Sequence, residues 1–169
     1  MIPITEAIET GAWLEVTYPA SGGSGVNDDT HTLKFRIKLK GFSKIDLHAA
    51  FSAEDTGDAY FQSFLVQFGL EANIWKLDLD IVNLAPYPVS SIDFGNLLRI
   101  RDEDGFEFKR CVDPWIIRMS QFAETSGLSN FHYSELPPKV KKSGAFCYEL
   151  PEFFEGLTIH GKDGSISES

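Results

Sequence analysis

The stretch Thr32-Leu33-Lys34-Phe35-Arg36-Ile37-Lys38-Leu39-Lys40 decides the fold class. Leu33, Phe35, Ile37 and Leu39 alternate with Lys34, Arg36, Lys38 and Lys40. That is the period of a strand with one buried face. A one-residue slip would bury four cations, so the strand's orientation follows from its own composition. The same alternation recurs at Trp75, Leu77, Leu79 and Ile81, with Lys76, Asp78 and Asp80 opposite. A third run sets Ile45, Leu47, Ala49 and Phe51 against Lys44, Asp46 and His48. A short turn near Gly41 then predicts a hairpin of strands 32–40 and 43–51.

Shorter strands are expected around Leu14–Val16–Tyr18, over 97–101 and 106–110, over 146–150, and at Leu157 and Ile159. Residues 60–68 are apolar on both faces, as in a covered strand. About nine short strands broken by Gly, Pro, Asn and Asp clusters read as a mainly β, antiparallel sandwich or barrel. One helix is expected over 114–126. Asp113 can cap it, Pro114 opens it and Gly127 follows it, while Trp115, Met119, Phe122 and Ala123 form its apolar stripe. Residues 20–29 and 53–58 read as loops. A single domain is expected over 1–160, with a polar, disordered tail at 161–169.

The chain has 169 residues, 43% of them hydrophobic and fourteen of them Phe, which is ample for a core without disulfide or metal staples. Acidic residues outnumber basic ones 25 to 15, for a formal charge of −10. Such a surface repels polyanions, so nucleic acid and anionic membrane are unfavoured partners. No run approaches the ~20 apolar residues of a membrane span. The opening residues show no basic, then apolar, signal pattern, so the chain as written is expected in the cytoplasm, or exported if a leader has been removed.

One ordered series of segments goes beyond fold class. Ile74-Trp75-Lys76-Leu77-Asp78-Leu79-Asp80-Ile81-Val82-Asn83 leads to Pro88-Val89-Ser90-Ser91, Phe94, Leu98 and the turn before Phe106-Glu107-Phe108. Leu136-Pro137-Pro138, Ser143-Gly144-Ala145-Phe146-Cys147-Tyr148-Glu149-Leu150-Pro151 and Leu157-Thr158-Ile159 follow. Over roughly residues 72–160 this order resembles the telokin-like, immunoglobulin-fold domains of unknown function found in bacterial exported proteins and lipoproteins. The resemblance implies an immunoglobulin-like β-sandwich with a binding or envelope-associated role, and it brings no catalytic residues. Against it, residues 19–71 and the helix look like additions.

No nucleophile stands in a catalytic motif, and His31, His48, His132 and His160 lack metal-ligand spacing. No catalytic residue and no cofactor are therefore expected. Asp102-Glu103-Asp104-Gly105 reads first as a hairpin turn, with Asp102 and Asp104 as weak calcium candidates that Asn27-Asp28-Asp29 could supplement. Alternation turns Cys111 and Cys147 away from the apolar face; without a signal pattern free thiols are expected, and a cross-strand disulfide in an oxidising compartment is the alternative.

The basic stripe is the least expected surface feature of an acidic chain. Cross-strand pairing and protection of a sheet edge both account for it. The functional expectation is a non-enzymatic module binding a protein partner through a sheet edge or through the face of Lys34, Arg36, Lys38 and Lys40, with Phe42 as an apolar anchor. The alternative is a sandwich that binds carbohydrate or a small ligand through aromatics such as Trp13, Phe131 or Tyr133, with a structural calcium ion. An enzyme with a site assembled from loops ranks third.

Overall fold

The computed structural model describes residues 1–20, 31–47, 59–90, 97–108, 110–111, 135–161 and 166–168. The first elements are β1 (Ile2–Pro3), α1 (Ile4–Thr10), β2 (Leu14–Ala20), β3 (His31–Lys44), α2 (Ala59–Gln67) and β4 (Ile74–Asn83). The short strands β5 (Val89–Ser90), β6 (Leu98–Arg101), β7 (Glu107–Phe108), β8 (Arg110–Cys111) and β9 (Glu135–Leu136) follow. β10 (Lys141–Glu149), β11 (Thr158–Gly161) and β12 (Ile166–Glu168) complete the order. The expected helix at 114–126 and the loop at 53–58 lie outside the described residues, as does the loop expected over 20–29 except for Ala20, which ends β2. No described helix is long and apolar enough to cross a membrane.

The strands form a β-sandwich in which every strand-to-strand pairing is antiparallel. One sheet has the order β12-β2-β3-β4-β10-β8, the second β1-β11-β6-β7, and β5-β9 is a separate ribbon. Phe35, Ile37, Leu39, Leu77, Leu79, Ile81, Phe146 and Tyr148 of the first sheet meet Leu98, Ile100 and Ile159 of the second in one core. The alternation of β3 and β4 is thus the inner face of a sheet, as the sequence expects. β3 lies between β2 and β4, so it is an interior strand of the sheet and not an edge.

No hairpin forms at Gly41. β3 runs on to Lys44, and its register against β4 jumps between Leu39, opposite Leu79, and Gly41, opposite Asp78. Lys40 is the extra residue of a bulge, and a bulge reverses the parity of everything after it. Odd residues face the core up to Leu39, and even Phe42 does so afterwards, opposite Leu77. Ile45 and Leu47 therefore fall on the outer face, and the strand expected over 43–51 ends at Lys44.

That outer surface explains the second correction. Residues 60–68 are not a covered strand, because Ala59–Gln67 is helical. Phe64 and Phe68 stand one turn apart with ring centroids at 5.3 Å, and Gly69 ends the turn at φ +80°. Phe64 joins Ile45, Leu47, Ile74 and Cys147 in a second core, with Leu65 and Phe68 packed against it. A short apolar run fits either period, and here burial against the back of the sheet selects the helix.

Two further differences concern the termini. Ile4–Thr10 is a helix, burying Ile4 and Ala7 and closing on Gly11 in the left-handed region. The tail expected to be disordered contains β12, which pairs with Leu14–Val16 of β2 and brings Ile166 into the core.

Asn83 closes β4 with no solvent exposure. Its Nδ2 donates to the carbonyls of Tyr87 at 2.9 Å and Leu136 at 3.0 Å, and its Oδ1 accepts from the Ala85 amide at 2.8 Å. One side chain thereby ties the strand end to the following loop and to β9.

Candidate interaction face

Directly opposed residues of an antiparallel pair share a face, so the register lays out the outer surface of the six-stranded sheet row by row. One row reads Glu15, Arg36, Val82, Lys141, and the next Lys38, Asp80, Ser143. Gly41, Asp78 and Ala145 follow, then Ser43, Lys76, Cys147 and Cys111. α2 covers the sheet at the Ile74 and Cys147 end.

The stripe of β3 is therefore displayed on a face, with both of its strand edges occupied. Lys34 Nζ lies 3.8 Å from Glu15 Oε1, and Lys40 Nζ lies 3.7 Å from Asp80 Oδ1. The Arg36 guanidinium sits over the Trp13 ring, 5.6 Å from its centroid. Asp80 also accepts a 2.5 Å hydrogen bond from Ser143 Oγ. Asp78 Oδ2 is 3.7 Å from Nζ of the buried Lys76.

Depth separates Lys40 from its carboxylate partner Asp80. The Lys34 and Lys40 side chains are 58% and 53% exposed, whereas that of Asp80 is 8% exposed. Among the described residues, the part of the face clear of α2 carries Lys34, Arg36, Lys38, Lys40 and Lys141 against Glu15, Asp78 and Asp80. Lys40 stands outward over the sunken Asp80 carboxylate, while Glu15 beside Lys34 is 36% exposed. Ion pairs of this length at a surface contribute about 0–1 kcal/mol, so the cations can exchange partners at little cost.

Phe42 does not share this face. The bulge turns it to the core side, where it stacks on Trp75 with centroids 4.9 Å apart. The anchor expected beside the stripe is a packing residue. Trp13 is half-buried under Arg36. Phe131, Tyr133, His48, His132 and Asn27-Asp28-Asp29 lie outside the described residues, and His31 contributes its backbone to β3.

Asp102 and Asp104 sit where β6 turns into β7. Asp102 Oδ1 accepts from the amides of Asp104 at 3.0 Å and Phe106 at 2.8 Å, and Gly105 has φ +83°. This carboxylate is spent on building the turn. Among the described residues, no group of three or more His, Cys, Asp or Glu side chains could hold a metal ion.

Two polar features escaped sequence reasoning. On the outer face of the four-stranded sheet, His160 is 8% exposed, and its Nε2 lies 2.8 Å from Thr158 Oγ1. Beside it Glu107 accepts from Arg99 at 2.9 Å and from Arg101 at 3.1 and 3.2 Å. Burial first, then the Arg101 guanidinium and the N-terminal ammonium, lower the His160 pKa from 6.5, and Glu107 opposes them. Paired Arg and Glu at spacings of six and eight in strands joined by a turn are the only signal for this cluster. The second feature is an open groove of about 940 Å³ at one end of the sandwich. Phe68, Phe106 and Phe108 line it with Glu71, Glu149 and Glu152, and Phe106 is 64% exposed.

No protein-family model matches the sequence, and neither does any curated protein. The chain is similar to two solved structures. A secreted Mycobacterium tuberculosis protein, MPT63, is 12% identical, with a TM-score of 0.46 over 92% of each chain. A conserved hypothetical protein from Bacillus anthracis is 17% identical, with a TM-score of 0.47 over 91% of this chain and 96% of that one.

Proposed function

We propose that this chain is a non-enzymatic protein-interaction module that receives an acidic partner segment on the outer face of its six-stranded sheet. One observation carries the reading. In a chain of formal charge −10, the open part of that face carries the exposed Lys34, Arg36, Lys40 and Lys141 and the half-buried Lys38, with Asp80 buried beneath. The surrounding negative charge deters unselected polyanions, so only a segment placed on the island gains from it. Relation to the telokin-like immunoglobulin domains belongs to the same proposal, supported by the ordered segments from Ile74 to Ile159 and by the antiparallel sandwich they form.

The test is fluorescence anisotropy with a labelled Glu- and Asp-rich peptide, at increasing salt, on the wild type and on Lys34→Glu/Arg36→Glu/Lys38→Glu. Binding that weakens with salt and disappears in the triple variant is the expected result. Equal binding by both proteins eliminates the face as the site.

The groove favours a second reading, a module for carbohydrate or another small ligand, because Phe106 and Phe68 offer aromatic surface within a concavity. Saturable binding of an oligosaccharide lost in Phe106→Ser, with the triple variant unaffected, would select it.

A further inference from the structure

β10 carries β8 as its neighbour through two register pairs, Cys147 with Cys111 and Tyr148 with Arg110. The two cysteines of the chain, 36 positions apart, are therefore brought directly opposite each other at the edge of the sheet. We infer that Cys111 and Cys147 form a cross-strand disulfide, a covalent modification site that staples the two-residue strand β8 to the sheet.

Backbone register carries the inference. Opposed residues of an antiparallel pair lie on one face, with Cα atoms about 4.5 or 5.5 Å apart according to the kind of pair. Both separations fall within the roughly 4.4–6.8 Å that a disulfide spans. Cys147 is 4% exposed and packs among Ile45, Leu47, Phe64 and Ile74, beneath α2. It is present here as the thiol, so the bond forms by oxidation. A small-molecule disulfide such as oxidised glutathione is a sufficient oxidant. Each cysteine gives up its hydrogen, one S–S bond forms in the protein, and the oxidant's S–S bond takes two electrons and two protons to become two thiols. Burial then shields the bond from exchange with outside thiols, so it acts as a lasting staple.

The experiment is refolding of the full chain from urea in a glutathione redox buffer, followed by thiol titration, intact mass and peptide mapping. Expected are the joint loss of both thiols, a mass lower by two hydrogens, and one linked peptide containing Cys111 and Cys147. The oxidised protein should also unfold at a higher urea concentration than the reduced one. Cys111→Ser, which keeps the buried Cys147 intact, should show no such shift between the two buffers. Two titratable thiols after refolding, glutathione adducts on the separate cysteines, or a disulfide-linked dimer would each overturn the assignment. Because the wild type reports the bond directly, the result does not depend on a variant folding.

Discussion

Phe42 stacks on Trp75 with ring centroids 4.9 Å apart and planes at 30°, on the core side of the six-stranded sheet. The rings meet there only because the bulge at Lys40 has reversed the strand's parity. Phe42→Ala should cost about 2 kcal/mol in urea denaturation, below the ~3–5 of a fully buried aromatic because the ring is half-buried. Binding of the acidic peptide should be unchanged. A variant with normal stability and weakened binding would return Phe42 to the interface.

Lys40 itself separates charge from geometry. Lys40→Ala removes one long surface ion pair and should alter stability by less than about 0.5 kcal/mol. Deleting Lys40 removes only the extra residue and leaves a regular ladder, in which Gly41 still opposes Asp78 and Phe42 still opposes Leu77 on the core side. The deletion should therefore keep a cooperative unfolding transition by circular dichroism, and loss of that transition would show that the bulge itself is needed.

Asn83 makes three hydrogen bonds from a fully buried position. Asn83→Ala would leave two carbonyls and an amide unmatched, at about 1–3 kcal/mol for each group that water cannot reach. A loss of at least about 2 kcal/mol is expected. Asn83→Asp should be worse at neutral pH than in mild acid, since an ionised carboxylate cannot donate to Tyr87 and Leu136. Urea midpoints at two pH values measure this directly.

His160 makes stability depend on pH with a definite sign. Its folded pKa is lowered from 6.5, so between the two values the unfolded chain binds the proton more readily than the folded one. Stability therefore falls as pH drops below about 6.5 and stops falling below the folded pKa. Wild type should lose more stability than His160→Gln between pH 7.5 and 5.5. Equal losses would place the pH response elsewhere.

Some of this was legible in residues alone. Alternation over 33–39 and 75–81 identified the inner faces of β3 and β4, because a half-buried strand must separate apolar from charged residues by turns. Asp102 and Gly105 announced the turn they build, since an Asx side chain and a positive φ are local requirements. Residues 60–68 misled because their apolar run lacks a unique period, and only the exposed back of the sheet gave it helical work. The C-terminal strand carried almost no hydrophobic signal beyond Ile166, and its pairing with β2 is a long-range event.

The candidate face divides in the same way. Residue order and composition determined a mainly β chain, an acidic surface and four cations on one side of one strand. Tertiary structure decided that this strand is interior, that Asp80 sinks beneath Lys40, that Lys141 joins the row of Arg36, and that Phe42 leaves it. The physical reason lies in range. Side-chain alternation is a property of consecutive residues, whereas neighbouring strands and the parity reversal at a bulge come from hydrogen-bond register between distant segments. That register also set Cys111 opposite Cys147.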